Sequence, residues 1–125
     1  MKHTEEQMEY ALEVAKESFK QIRTLTPLHI YFSWGVSKVN YTIWRDMPAL
    51  VLQVNGFLHK GKLLVCYDSS SDAYNIYCLN NQREVVKQRK EVYFDELPDV
   101  IDHLIERDYC TSDDEYKQQV QQSLR

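Results

Sequence analysis

The sequence predicts one α+β domain in which an antiparallel β-meander lies between an N-terminal helix and a second helix. Three observations support this fold class: a helical apolar period near the N-terminus, period-2 alternation through four runs between residues 39 and 79, and a second helical period after residue 96. Consecutive strands joined by short connections and flanked by helices are typical of α+β proteins. The chain of 125 residues has the size of one domain, which we assign to residues 1–110.

The first element is an N-terminal helix. Thr4 is a suitable N-cap, and Gln7 three residues later completes a capping box. The apolar residues that follow share one helical face: Met8, Ala11, Leu12, Ala15, Phe19 and Ile22. The helix is predicted to end before Pro27, because the residue that precedes a proline avoids the helical region.

Residues 28–34 have two interpretations. Leu28, Ile30, Phe32 and Trp34 alternate with more polar residues, which favours a strand. Thr26–Pro27 before the segment and Gly35 after it are also typical of the ends of a short helix. Of the two, the strand is the interpretation that we favour.

Four runs with β-like alternation follow, at residues 39–45, 49–55, 62–68 and 73–79, and turn residues join them at 46–48, 56–61 and 69–72. Pairing 43 with 50, 54 with 63 and 67 with 74 gives a four-stranded meander with one continuous apolar face. That face consists of Val39, Tyr41, Ile43, Leu50, Leu52, Val54, Leu63, Val65, Tyr67, Tyr74, Ile76 and Cys78. The polar stretch 81–91 is either a loop or a fifth, edge strand.

A second helix follows the sheet and is predicted to pack back on it. Its apolar stripe consists of Leu97, Val100, Ile101, Leu104 and Ile105, and Pro98 is compatible with a first helical turn. Ser112 and Glu115 form a further capping box, but the residues that follow have few apolar positions. We therefore expect residues 111–125 to be a weak polar C-terminal helix or a tail.

The second face of the predicted sheet is more apolar than a freely solvated face should be. It carries Thr42, Trp44, Val51, Gln53, Leu64, Cys66, Asn75, Tyr77 and Leu79. Either a helix covers this face, which gives one helix on each side of the sheet, or a protein partner does. The second alternative predicts a non-catalytic protein-interaction module, or a homodimer that associates through the sheet, with Trp44, Val51, Leu64 and Tyr77 as interface candidates.

An alternative function is weak binding of single-stranded nucleic acid by basic loops. The candidate residues are Lys60, Lys62, Arg83, Lys87, Arg89 and Lys90. The net charge of −4 and the absence of an aromatic RNA-binding signature disfavour this alternative.

Catalytic and cofactor-binding motifs are absent from the sequence. Gly56, Gly61 and Lys62 have the spacing of a phosphate-binding loop, but Leu63 stands where that loop needs Ser or Thr. The four histidines and three cysteines lack metal-ligand spacing, so we predict no metal and no cofactor. We predict that the chain is not an enzyme; the alternative is a small enzyme that uses the carboxylates of the second helix.

The composition also bears on location. Hydrophobic residues make up 43% of the chain and charged residues 27%, which excludes the composition of a disordered protein. Cys66, Cys78 and Cys110 are odd in number, which favours reduced thiols. No signal peptide or apolar run long enough for a membrane span is visible, so we expect a cytoplasmic protein without a membrane partner.

Four blocks of the sequence resemble small uncharacterised proteins found in bacterial phage and mobile-element neighbourhoods. The resemblance covers roughly residues 10–106, and the blocks are Trp34–Gly35, Leu50-x-Leu52-x-Val54-x-Gly56, Asp72-x-Tyr74-x-Ile76 and Val92-Tyr93-Phe94-Asp95-x-Leu97. It implies a bacterial source. Because these proteins have no established activity, the resemblance implies no functional residue.

Overall fold

The computed structural model describes residues 4–106, in which one five-stranded antiparallel sheet has the strand order β1-β2-β3-β4-β5. The elements are α1 (Glu5–Leu25), α2 (Leu28–Ser33), β1 (Lys38–Trp44), β2 (Met47–Asn55), β3 (Lys60–Asp68), β4 (Ala73–Leu79), β5 (Val85–Val92) and α3 (Leu97–Ile105), with a single 3-10 turn at Phe94–Glu96. The predicted α+β meander is confirmed, and the stretch 81–91 supplies its fifth strand. The predicted helix or tail at 111–125 and the boundary at residue 110 lie outside the described residues.

Helix α1 begins at the predicted capping box. The Thr4 hydroxyl accepts a hydrogen bond from the Gln7 backbone N–H at 3.1 Å, and the Gln7 side chain accepts one from the Thr4 N–H at 2.8 Å. These bonds satisfy two of the backbone donors that a helix start leaves free. The helix buries Ala11, Ala15 and Ile22 against the sheet and ends at Leu25, two residues before Pro27.

The strand prediction for residues 28–34 is wrong, because Leu28–Ser33 is the short helix α2. The carbonyl of Pro27 accepts hydrogen bonds from the N–H groups of Ile30 and Tyr31, both at 3.0 Å, which starts the helical turn. The alternation was not a burial pattern: Leu28 and Phe32 are 58% and 69% exposed and lie four residues apart on the outer side of α2. A fixed proline φ at the start favours such a turn.

The predicted pairing of Tyr67 with Tyr74 between β3 and β4 is confirmed. The other two predicted registers are wrong by two residues. Strand β1 reaches Trp44, and a two-residue turn at Arg45 and Asp46 replaces the predicted connection 46–48. Both turn residues have positive φ, 50° and 64°, which is the backbone of the tight turn that matches strand twist.

The loop between β2 and β3 is also shorter than predicted, at residues 56–59, so Leu52 pairs with Leu63 instead of Val65. A shift of two residues leaves every side chain on its predicted face, because side chains alternate with a period of two. The predicted apolar face therefore holds although two of its registers do not.

The main hydrophobic core lies between that face and the helices. Its buried members come from α1, α3, the segment that ends α2 and all strands except β1: Ala15, Ile22, Trp34, Leu50, Leu52, Val54, Leu63, Val65, Tyr74, Ile76, Cys78, Val92, Leu97, Val100, Ile101 and Ile105. All three helices of residues 4–106 thus lie on one face of the sheet. Of the two alternatives for the second face, coverage by a helix is therefore wrong for this part of the chain.

The C-terminal end of α3 is fixed to the loop between β2 and β3. The Ile105 carbonyl accepts a hydrogen bond from the Leu58 N–H at 2.8 Å, and the Glu106 carboxylate accepts one from the Phe57 N–H at 2.7 Å. Gly56 is required here, because a Cβ at this position would lie 2.2 Å from the Ile105 oxygen. The Lys87 ammonium donates to the Leu104 carbonyl at 3.0 Å, where a cation also suits the negative end of the helix dipole.

Candidate functional site

The second face of the sheet carries the four interface candidates that the sequence predicts. Strand residues alone form its cluster within residues 4–106, namely Ala49, Leu64, Cys66, Tyr77 and Leu79 with the half-buried Trp44, Met47, Val51 and Val85. Leu64 and Tyr77 are each only 2% exposed, whereas Trp44 and Val51 are half-buried. The structure therefore places the four candidates together but leaves little surface of two of them for a partner.

Coiling of the sheet closes this face. Trp44 lies on β1 and Tyr77 on β4, and these two strands would be about 14 Å apart in a flat sheet with strands about 4.8 Å apart. Tyr77 also lies opposite Asn40 in the register, four residues before Trp44. The two ring centroids are only 6.4 Å apart, so the sheet coils toward this side. The Arg45 guanidinium lies over both rings, at 5.6 Å from the Trp44 centroid and 5.0 Å from that of Tyr77. Intramolecular contacts thus cover much of the predicted interface.

The six basic candidates for nucleic-acid binding do not lie on one surface. Lys60 and Lys62 are even-numbered residues of β3 and point to the second face, whereas Lys87 pairs with Cys78 on the helix side. The Lys87 ammonium donates hydrogen bonds to the carbonyls of Leu58 and Leu104. The remaining three follow the turn after β4 and the strand β5: Arg83, Arg89 and Lys90. The structure divides these charges between the two faces and the β5 edge.

Among the described residues, burial shifts the pKa values of two thiols and one imidazole toward the neutral form of each group. Burial raises the pKa of Cys66 to about 12 and that of Cys78 to about 11, so both remain protonated thiols at neutral pH. Burial, with a smaller contribution from the charge of Lys87, lowers the pKa of His59, whose Nε2 lies 3.2 Å from the Lys62 oxygen. Within residues 4–106, no group of three or more His, Cys, Asp or Glu is placed to hold a metal ion.

The two edges of the sheet differ in their protection against pairing. Strand β5 has two irregularities in its register with β4, one between Tyr74 and Ile76 and one between Cys78 and Leu79. Glu91 adopts a positive φ of 56° beside the first irregularity. Bulges and charged residues are the devices by which natural sheets prevent an edge from adding another strand. The β5 edge is therefore blocked.

Strand β1 lacks these devices along most of its length. It pairs with β2 without interruption over all seven residues, and only Lys38 is charged. Trp44 and Met47 flank the two-residue turn and so form a hydrogen-bonded pair. Because such pairs alternate along a ladder, the N–H and C=O groups of Val39, Tyr41 and Ile43 point away from β2.

One hydrogen bond shows this orientation directly. The Tyr41 N–H donates to the Oδ1 atom of the neighbouring Asn40 side chain at 2.8 Å. A backbone N–H of β1 that points toward β2 would donate to a carbonyl of β2. The Tyr41 N–H therefore lies on the open side of β1. The side chain of Asn40 thus occupies the middle donor of an otherwise open edge.

A groove of about 300 Å³ runs beside this edge, between α1 and β1. Helix α1 packs more on β2 than on β1, which leaves the helix side of β1 partly open. Val39 is 47% exposed there. The groove is lined by Leu12, Ala15, Lys16 and Phe19 of α1, Val39, Asn40 and Tyr41 of β1, and Leu50 of β2. We call this groove, together with the outward backbone groups of Val39, Tyr41 and Ile43, the edge groove.

The edge groove is not visible in the sequence pattern, although one feature of the sequence indicates an open edge at β1. The run 39–45 has one charged residue, Arg45, whereas five charged residues stand between 84 and 91. No protein-family model, no curated protein and no solved structure matches the chain. No helix within residues 4–106 is long and apolar enough to cross a membrane.

Proposed function

We propose that the chain is a non-catalytic protein-interaction module that adds an extended segment of another polypeptide as a sixth strand beside β1. The supporting observation is the difference between the two edges: β5 is bulged and charged, whereas β1 presents regular, outward backbone groups. Strand addition of this kind obtains affinity from main-chain hydrogen bonds.

In this proposal, the edge groove determines which side chains the added strand carries. Alternate side chains of an added strand point to the helix side of the sheet, where Leu12, Phe19 and Val39 line the groove. An apolar side chain that enters the groove covers the exposed part of Val39 and the half-buried ring of Phe19. The proposed partner segment is therefore extended, with β-branched or aromatic residues at alternate positions.

Nucleic-acid binding has no comparable support from geometry among residues 4–106, because the basic candidates are divided between surfaces. We also propose a cytoplasmic location, because Cys66 and Cys78 are free buried thiols, which a reducing compartment preserves.

Selection of random peptides displayed on phage, with the full chain immobilised at low density, tests this function. We expect enriched peptides with alternating β-branched or aromatic residues. Val39→Pro removes one outward N–H without removing a hydrogen bond to β2. It should therefore weaken the binding of the enriched peptides about tenfold or more. Thr42→Ala, on the same strand but on the other face, adds no charge and keeps every backbone N–H, so it is the matched control and should bind as the wild type does.

Two results would contradict the proposed function. One is a selection that enriches no peptide above an unrelated immobilised protein. The other is a set of enriched peptides that bind the Val39→Pro variant as tightly as the wild type, provided that circular dichroism shows both to be folded.

A further inference from the structure

We infer that the polypeptide that pairs with β1 is the β1 strand of a second copy of this chain, so that two copies form a two-fold dimer with one continuous sheet. The inference rests on the proposed function and names its partner. Two observations carry it: the symmetry of the outward groups of β1, and the distribution of charge along the side of α1 that lines the edge groove.

The outward backbone groups fit a copy of themselves. Val39, Tyr41 and Ile43 stand at equal spacing, so a two-fold axis at Tyr41 pairs Tyr41 with the second copy's Tyr41 and Val39 with the second copy's Ile43. Each pair then exchanges N–H···O=C hydrogen bonds in the antiparallel pattern. The same surface serves on both copies, as a two-fold interface requires. Pairing at Tyr41 requires the Asn40 side chain to release the Tyr41 N–H, which donates to Asn40 Oδ1 at 2.8 Å in the single chain.

The same axis places the two α1 helices antiparallel to each other. Leu12, Lys16 and Phe19 line the groove, and helical spacing extends this stripe to Glu5, Glu9 and Arg23. The stripe lies beside Val39, Asn40 and Tyr41, so its middle, near residue 14, falls close to the axis.

Charge along this stripe is segregated. Its first half carries Glu5 and Glu9 and no base, whereas its second half carries Lys16 and Arg23, with Lys20 next to them. An antiparallel arrangement brings the acidic half of one helix opposite the basic half of the other, which is the complementary arrangement. A parallel arrangement would instead oppose like charges.

The spacing between the helices suits long charged side chains. If each α1 axis lies above β2, the two axes are three strand spacings apart, or about 14 Å. Tightly packed helices are about 8–10 Å apart, so the gap is too wide for close apolar packing along its whole length. Glutamate and lysine side chains can cross such a gap, while Leu12 and Phe19 fill its floor. The Arg23 guanidinium instead lies over the Tyr31 ring of its own chain, 4.1 Å from the centroid.

Sedimentation equilibrium of the full chain with two charge-reversed variants tests the inference. Variant one is Glu5→Lys with Glu9→Lys, and variant two is Lys16→Glu with Lys20→Glu; all four residues are exposed, so the fold should tolerate them. We expect the wild type to be a dimer at roughly 100 µM, and each variant alone to associate about tenfold or more weakly. An equimolar mixture of the two variants should form a dimer again, because the all-basic stripe of variant one then faces the acidic residues of variant two in both halves.

The edge is tested in the same experiment. Val39→Pro in both charge-reversed variants should abolish dimer formation in the mixture, whereas Thr42→Ala in both should not. A wild type that stays monomeric, variants that dimerise as the wild type does, or a mixture that stays monomeric would each overturn the inference. Because peptide selection measures strand addition separately, a monomeric wild type that still binds enriched peptides refutes the second copy and not the proposed function.

Discussion

Replacing Tyr77 with alanine is expected to lower the free energy of unfolding by about 3–5 kcal/mol, the range for removing a buried aromatic side chain. The ring is 2% exposed, lies 6.4 Å from the Trp44 ring and has the Arg45 guanidinium 5.0 Å from its centroid. Its removal leaves a cavity in the cluster of the second face and removes the ring that Arg45 covers. Urea denaturation of the wild type and the variant, followed by circular dichroism, measures the difference.

The matched control is Trp44→Phe in the same cluster. The Trp44 Nε1 atom is buried with no hydrogen-bond partner among residues 4–106, so phenylalanine removes an unpaired donor while it keeps an aromatic ring. We expect this variant to lie within about 1 kcal/mol of the wild type. If Tyr77→Ala instead kept full stability and lost only self-association, the second face would be an interface and the packing account of it would be wrong.

Replacing Trp34 with alanine is expected to have an effect of similar size, about 3–5 kcal/mol. Trp34 is fully buried and connects three parts of the main core. Its indole N–H donates to the Asp102 carboxylate at 3.0 Å, its ring lies 5.8 Å from that of Tyr31, and its carbonyl accepts the Asn55 N–H at 2.9 Å. Alanine keeps only the last of these contacts.

Thermal and urea denaturation of Trp34→Ala and Trp34→Phe separate packing from hydrogen bonding. Phenylalanine keeps most of the ring and loses the bond to Asp102, so its cost should be about 1–2 kcal/mol. A loss below about 1 kcal/mol for Trp34→Ala would contradict the position of this side chain at the centre of the core.

The faces of the sheet were predictable from the sequence, whereas its exact pairing was not. Alternation fixes the side to which each residue points, and Leu50, Leu52 and Val65 lie on the predicted side. Register depends on the turns as well. The pattern does not show that Arg45 and Asp46 adopt the left-handed conformation, because Asp–Gly and Asn–Gly are the usual signals for that turn.

The helix α2 and the second face show two further limits. Leu28 and Phe32 are exposed in the fold, so their apolar character carried no information about burial in a sheet. The second face was correctly predicted to be unusually apolar. Its closure by coiling of the sheet and by Arg45 depends on the contact between Trp44 and Tyr77, which are more than thirty residues apart in the chain.

The edge groove could not be predicted in full, because it depends on where α1 crosses the sheet. The sequence shows that Leu12, Lys16 and Phe19 share a stripe of α1, but not that this stripe lies beside the outer strand. The exposed backbone of Val39, Tyr41 and Ile43 follows from the strand order and from the phase of the ladder, and both are properties of the folded chain.

Amide hydrogen exchange of β1, measured by NMR over a range of concentrations, tests the central claim most directly. In the monomer, the outward N–H groups of Val39 and Ile43 should exchange rapidly, while those of Asn40 and Thr42 are protected by β2. If a second copy pairs with β1, the amides of Val39 and Ile43 become protected as the concentration rises, and Val39→Pro removes this protection at Ile43. Rapid exchange of both amides at every concentration, in a sample that dimerises, would contradict edge pairing and place the contact elsewhere on the molecule.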